Sequence, residues 1–110
     1  MRRALIRGTA VRPSAKNILM ATAAYFGTEV ATLRGSTSDP TLHHARMIAM
    51  YLCWELLDYS CIRAGRALRR DPVHAMYARL RVQAEIASGG VMQNQVHELI
   101  SRLRRTGHGG

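Results

Sequence analysis

Six arginines lie between Arg63 and Arg81, and the only carboxylate among them belongs to Asp71. Guanidinium groups bind phosphate oxygens strongly, so a cluster of this kind is typical of proteins that bind polyanions. Residues 60–68 and 72–86 show helical patterns and are separated by a very short turn. Short-turned helix pairs with a basic second helix commonly enter the major groove of DNA. The pattern therefore predicts a protein that binds double-stranded DNA.

Arginines on both sides of this turn are the predicted phosphate contacts: Arg63, Arg66, Arg69, Arg70 and Arg81. The net charge of +9 and the pI near 11.0 favour the same partner, because a positive field attracts polyanions and speeds their encounter. The alternative interpretation is that these arginines only form a solvated surface. Few acidic residues are available nearby to balance them.

The start of the second helix is the predicted reading head. Asp71 followed by Pro72 is a strong helix start, since the carboxylate accepts from free amides and proline has no amide to leave unpaired. At that end of a recognition helix, side chains meet base edges. Val73 offers only apolar contact, for instance to a thymine methyl, and His74 can bond a purine N7. A simple helix-capping role is the alternative for Asp71.

Composition predicts a single all-α domain. The chain has 110 residues, of which 47% are hydrophobic and only 5% aromatic. A core built from Leu, Ile, Val, Ala and Met suits packed helices better than a β-sandwich. Periodicity predicts a small bundle of about five to six helices with a helix-turn-helix. The predicted helices cover residues 15–26, 28–33, 41–57, 60–68, 72–87 and 91–105.

Two of these helices have predicted inward faces that matter for the site. The helix at 41–57 is predicted to be the central packing element, and the helix at 72–87 is predicted to pack against it. Their predicted buried residues are, for the first, Leu42, Ala45, Ala49, Leu52, Cys53 and Leu56, and for the second, Val73, Met76, Tyr77, Leu80 and Ala84. In the helix at 60–68, Ile62 and Leu68 are among the residues predicted to pack.

The domain boundaries follow from the same patterns. Residues 1–14 are predicted to be a flexible basic arm, which either adds phosphate contacts or is merely a disordered terminus. The folded domain is predicted to span residues 15–105. Residues 106–110 are predicted to be a disordered tail.

Several classes of protein are not supported by the sequence. No apolar run approaches the length of a membrane span, and Cys53 and Cys61 fit neither a disulfide framework nor a metal site, which predicts buried free thiols in the cytoplasm. Adjacent His43 and His44 would point about 100° apart on a helix and would not chelate together. No phosphate-binding loop of the G-x-x-x-x-G-K-[ST] type and no catalytic constellation occurs. The expectation is a protein without enzymatic activity, metal, cofactor or small-molecule substrate.

Specific sequence blocks resemble a known family. Residues 45–52 read A-R-M-I-A-M-Y-L, close to the family's A-R-Q-I-A-M-Y-L. Flanking similarities occur in the family's order and nearly its spacing: Ala24-Tyr25-Phe26, Val30-Ala31-Thr32-Leu33, Glu55-Leu56, Ser60, Gly65 and Arg70-Asp71. From about Ala15 to Arg105 the chain therefore resembles the C-terminal DNA-binding domain of the bacterial replication initiator DnaA.

The resemblance implies an all-helical fold of the Trp-repressor/DnaA type with a helix-turn-helix that reads short duplex sites. It places Arg46 on a DNA-contacting arginine, Ser60 on a serine that meets the phosphate backbone, and Asp71 at the start of the recognition helix. After Asp71, however, residues 72–75 read P-V-H-A where the family has H-T-T-V. A loop at 37–40 replaces a segment that carries a minor-groove arginine in the family. These departures predict a different or relaxed sequence preference with strong salt dependence.

Three functions remain open on the sequence. The leading hypothesis is a sequence-selective, stand-alone regulator of transcription or replication at the nucleoid, without ATPase activity. The second is a protein-interaction module that keeps the fold but has lost specific DNA reading, suggested by the altered signature and by Val73 and Trp54 as exposed apolar residues. The third is a non-specific nucleic-acid binder that depends on the basic arm.

Overall fold

Helices make up most of the described part of the chain. The computed structural model describes residues 13–109, and the side chains of residues 13–105 among them. Within these residues there are six helices and no strand, so the predicted all-α bundle is confirmed. The helices are α1 (Ala15–Tyr25), α2 (Val30–Arg34), α3 (Pro40–Leu57), α4 (Cys61–Ala67), α5 (Pro72–Ser88) and α6 (Val91–Gly109). Residues 1–12 of the predicted arm lie outside the described part of the chain.

The helix starts follow directly from local sequence. Ser14 accepts from the amide of Asn17, whose side chain bonds back to the Ser14 amide, so α1 begins with a capping box. Asp39 and Asp71 cap α3 and α5, each with a proline in the first turn. Ser60 caps α4. All four side chains accept amide hydrogens that the helix itself leaves unpaired.

Helix α3 is the centre of the bundle, as predicted. It packs against α1, α2, α4 and α5, and α6 closes the other side against α1 and α5. All of the residues predicted to be inward on α3 are buried. Large fully buried side chains come from five of the six helices and from Leu68, the residue that follows α4: Ile18, Leu19, Leu33, Ile48, Leu52, Leu56, Leu68, Val82, Val96 and Leu99.

The prediction of which face of α5 is buried is wrong. Val73, Met76, Tyr77, Leu80 and Ala84 are all exposed, and the buried residues of α5 are Ala75, Ala78 and Val82. Both sets have helical spacing, so periodicity alone did not separate them. The structure buries the smaller set because α5 packs on α3 and α4 together, and small side chains allow close approach of the backbones.

Two smaller differences concern α4 and α6. Ile62, predicted to pack, is 55% exposed. Helix α6 continues to Gly109, beyond the predicted helix end at residue 105, and the disorder of residues 106–110 stays a prediction. Extending a formed helix adds one hydrogen bond per residue without a new nucleation cost.

The two cysteines are both free thiols. Cys53 is buried in the core, and that burial raises the pKa of its thiol to about 12. Cys61 is only partly buried, so the prediction of burial holds fully for Cys53 alone. Over the described residues, no helix is long and apolar enough to cross a bilayer.

Candidate nucleic-acid interface

The turn between α4 and α5 is tightly closed on Gly65. The carbonyl oxygen of Gly65 accepts from the amides of Leu68 at 3.0 Å and Arg70 at 2.8 Å. A Cβ atom on Gly65 would lie 2.6 Å from the carbonyl oxygen of Arg70 and 3.0 Å from that of Asp71. The backbones of α4 and of the turn therefore approach as closely as they do because residue 65 has no side chain.

Arg69 has the left-handed backbone conformation in this turn, with a φ of 58°. Glycine is the usual residue at such a position after a helix, because a Cβ atom makes the conformation costly. A positively charged residue thus occupies a position at which local conformation favours glycine. An arginine at such a costly position, with its side chain exposed, indicates that the guanidinium serves a surface contact.

We expect Arg69→Gly to stabilise the fold by about 1 kcal/mol, because glycine adopts this conformation without a steric penalty. The same change should weaken duplex binding, because it removes an exposed positive charge beside the turn. Urea unfolding and fluorescence anisotropy measure the two effects separately. Arg69→Lys is the control, since it keeps both the charge and the Cβ atom. A less stable Arg69→Gly protein would contradict this account of the turn.

Asp71 begins α5 as predicted. One carboxylate oxygen accepts from the amides of Val73 at 2.9 Å and His74 at 3.1 Å. The pKa of the Asp71 carboxyl is lowered, chiefly because the His74 amide donates to the charged form. The Nδ1 atom of His74 also lies 3.3 Å from the same oxygen. The cap thus holds the first turn of α5, where Val73 and His74 are both exposed.

Three arginines beside the turn are exposed and available to a partner: Arg63, Arg66 and Arg69. The Arg63 guanidinium lies 4.1 Å from the centre of the Tyr59 ring, which orients it by a cation–π contact. Among the described residues, none of these three arginines forms an ion pair with a carboxylate. Ser60, also exposed, accepts from the amide of Arg63 and fixes the start of α4.

Arg46 occupies a different environment from the other predicted contacts. Its side chain is only 6% exposed and donates to four backbone carbonyl oxygens. The acceptors are those of Leu33 (2.8 Å), Thr37 (2.9 Å), Thr32 (3.0 Å) and Gly35 (3.2 Å). Burial is the main cause of the lowered pKa of its guanidinium, followed by the charge of Arg70. The described hydrogen bonds give Arg46 a structural role, and its contact with DNA stays a prediction.

Arg70 and Arg34 connect the segment around Gly35, which Arg46 also bonds, to the helix pair α4 and α5. Arg70 donates from one terminal nitrogen to the Gly35 carbonyl at 2.8 Å and from the other to the Leu68 carbonyl at 3.1 Å. Arg34 donates from Nε to the carbonyl of Ala67, the last residue of α4, at 3.0 Å. The segment after α2 is therefore fastened to both α3 and the turn. Sequence reasoning missed Arg34, because no local pattern pairs it with a residue 33 positions away.

The outward face of α5 is apolar. Val73 is 74% exposed, and Met76, Tyr77 and Leu80 are 49%, 50% and 54% exposed. Arg81, predicted to contact phosphate, is exposed but donates to Glu85 at 3.1 Å and to the Tyr77 hydroxyl at 3.3 Å. Arg79 lies with its guanidinium 5.0 Å from the centre of the Trp54 ring, which is partly buried. Sequence reasoning had Met76, Tyr77 and Leu80 in the core.

Other clusters of polar side chains do not form a metal site in the described residues. His44 bonds the Gln95 side chain through Nε2 at 2.7 Å and packs edge-on against Phe26. Its role is thus to join α3 to α6 and α1. The exposed positive charge of this surface is concentrated beside the turn between α4 and α5, at Arg63, Arg66 and Arg69.

Comparison with known proteins adds an independent observation. A sequence model of the family described as bacterial dnaA protein helix-turn-helix matches residues 15–82, from the first residue of α1 to the buried Val82 of α5. The chromosomal replication initiator protein DnaA of Mycobacteroides abscessus is 42% identical over 96 residues. That alignment covers 87% of this chain and 20% of the relative, so the chain spans about a fifth of the relative's length.

Proposed function

This chain belongs to the bacterial DnaA helix-turn-helix family, and from that DNA-binding fold we propose that it is a sequence-selective binder of double-stranded DNA. In the proposed complex the first turns of α5 enter the major groove, while α4 and the turn lie against the phosphate backbone. The observation that carries the proposal is the tight helix pair with exposed arginines beside its turn.

The proposed phosphate contacts are the exposed arginines beside the turn that form no ion pair with a carboxylate in the described residues. Arg63, Arg66 and Arg69 are exposed beside the turn, and Ser60 is exposed at the start of α4. Arg70 is partly buried and is proposed to act both as a brace for the turn and as a local positive charge. Arg46 is proposed to act mainly by holding the loop at residues 32–37 in place.

The proposed biological role is control of DNA replication or transcription by occupation of specific sites. The relative named above is a replication initiator, which favours replication control as the first setting to test. Because the 110 residues contain no phosphate-binding loop of the G-x-x-x-x-G-K-[ST] type, we propose that site occupation by this chain proceeds without ATP hydrolysis.

We expect Arg63→Ala and Arg66→Ala to weaken binding to all duplexes and to lower the slope of log K against log salt by about 1 each. Fluorescence anisotropy with a labelled duplex, between about 50 and 200 mM salt, measures both quantities. The matched control is Arg105→Ala, which removes an exposed arginine from α6, where it contacts Glu98 and Ser101. An equal loss in Arg105→Ala, or an affinity that does not respond to salt, would contradict the proposed interface.

A protein-interaction module is the second candidate function. The observation that favours it is the exposed apolar face of α5, because contiguous exposed apolar side chains are typical of protein-binding surfaces. The duplex-binding experiment separates the two candidates. Absence of binding to a random duplex library at low salt would favour the interaction module.

A further inference from the structure

Side-chain hydrogen bonds join the end of α2 to the turn between α4 and α5. Arg34, the last residue of α2, donates from Nε to the carbonyl oxygen of Ala67 at 3.0 Å. Arg70 donates from a terminal nitrogen to the carbonyl oxygen of Gly35 at 2.8 Å. The partners are 33 and 35 positions apart in the sequence, so these bonds connect segments that are distant along the chain. Both donors are guanidinium groups, and hydrogen bonds from charged donors are stronger than neutral ones.

The turn that these bonds reach carries local strain. Arg69 has a φ of 58°, a conformation that is costly for a residue with a Cβ atom. Such a conformation persists only where the surrounding structure holds it in place. The bonds meet the chain on either side of Arg69, at Ala67 before it and at Arg70 after it. Contacts from outside the helix pair therefore hold both ends of the strained segment.

The bond to Ala67 lies between exposed arginines. The last carbonyl groups of a helix have no amide partner within the helix, and Ala67 is the last residue of α4. Arg34 thus supplies a donor that the helix itself does not. Arg66 lies one residue before Ala67, Arg69 lies two residues after it, and both side chains are exposed. The bond from Arg34 fixes the backbone from which these two side chains project.

We propose, on the basis of the DNA-binding function above, that Arg34 is a positioning residue for duplex binding. Through its bond to Ala67 it holds the turn in the conformation that presents Arg66 and Arg69 to the phosphate backbone. Without this bond the turn samples other conformations in the free protein. Duplex binding must then order the turn, and affinity falls by the free energy which that ordering costs.

Two neutral substitutions of nearly equal length isolate the hydrogen bond. In Arg34→Gln the amide nitrogen takes the place of Nε and can donate to the Ala67 carbonyl, whereas Arg34→Met puts a methyl group there. Both variants lose the same charge, so a difference between them does not come from net charge. We expect Arg34→Met to bind duplex DNA about fivefold more weakly than Arg34→Gln, which corresponds to one net hydrogen bond. Fluorescence anisotropy over a range of salt concentrations measures the affinities.

The same pair of substitutions at Arg102 is the control. Arg102 also donates from Nε, to Glu98 at 3.1 Å, but it lies on α6. Arg102→Gln and Arg102→Met should therefore bind duplexes with equal affinity. Amide hydrogen exchange of the free protein gives a second readout. The amides of Arg69 and Arg70, which bond carbonyls of α4, should exchange faster in Arg34→Met than in Arg34→Gln, with no change in α6.

The outcomes separate the positioning role of Arg34 from the function on which it rests. Equal affinities of Arg34→Gln and Arg34→Met overturn the positioning role and leave DNA binding intact. An equal loss in both variants, with the slope of log K against log salt lowered by about 1, shows a direct phosphate contact and also overturns it. Faster exchange in Arg34→Met without a difference in affinity limits the bond to a structural role, which contradicts the proposal. An unaltered protein that binds no duplex overturns the proposed function itself.

Discussion

Replacing Gly65 by alanine is expected to lower the free energy of unfolding by about 3 kcal/mol, the upper end of the usual cost of overpacking. The added Cβ atom would meet the carbonyl oxygens of Arg70 at 2.6 Å and Asp71 at 3.0 Å. These are backbone atoms of the turn itself, so no flexible side chain can move aside. Relief requires α4 and α5 to separate, and the hydrogen bond from the Arg70 amide to the Gly65 carbonyl would be strained.

Gly90→Ala is the matched control for this change. A Cβ atom on Gly90 meets no atom within 4 Å, so alanine there should change stability by less than about 1 kcal/mol. Urea unfolding followed by circular dichroism compares the two variants. We also expect weaker duplex binding by Gly65→Ala under conditions in which it remains folded. Equal stability of the two variants would show that the turn is not closed on Gly65.

Removing the Arg46 side chain is the second change for which we expect a large effect. Arg46→Ala leaves the carbonyl oxygens of Thr32, Leu33, Gly35 and Thr37 without the donors that they have in the native structure. Unpaired acceptors at a largely buried position are costly, and we expect a loss of about 3 kcal/mol. Arg46→Lys should recover only part of this loss, because one ammonium group cannot reach all four acceptors.

The control for Arg46→Ala is Arg102→Ala on α6. Arg102 is exposed, pairs with Glu98 at 3.1 Å and lies over the Tyr25 ring, so its removal should cost less than about 1 kcal/mol. Thermal or urea unfolding gives the comparison. The resemblance to the family implied a direct contact between Arg46 and DNA. A variant that keeps its stability but loses duplex affinity would support that contact and contradict the structural role.

Local sequence was sufficient for most of the helix boundaries. Ser14, Asp39, Ser60 and Asp71 have side chains that satisfy free amides at the start of a helix, and this interaction depends only on the next three residues. The central position of α3 was also predictable, since its apolar residues cover too wide an arc for a surface helix. The resemblance based on residues 45–52 was confirmed by the family match.

The orientation of α5 was not predictable in the same way. Its larger apolar residues pointed to one face and its smaller ones to another, and hydrophobicity alone favours burial of the larger set. In the folded chain, α3 and α4 approach α5 on the side of Ala75 and Ala78. Which face is buried depends on how closely three backbones pack, and no single helix sequence contains that information. Because α5 buries its smaller residues, its larger apolar residues are left exposed.

The amino-acid sequence by itself determined where the helices begin, the all-α class and the basic character that favours a polyanionic partner, because these depend on neighbouring residues and on total charge. Tertiary structure alone decided which arginine side chains bond backbone carbonyls and which stay exposed. Arg46, Arg70 and Arg34 bond carbonyl groups that are distant in the sequence, whereas Arg63 and Arg66 remain exposed. The difference has a simple physical origin: a guanidinium bonds whichever acceptors the folded backbone brings within reach, and chain folding sets those distances.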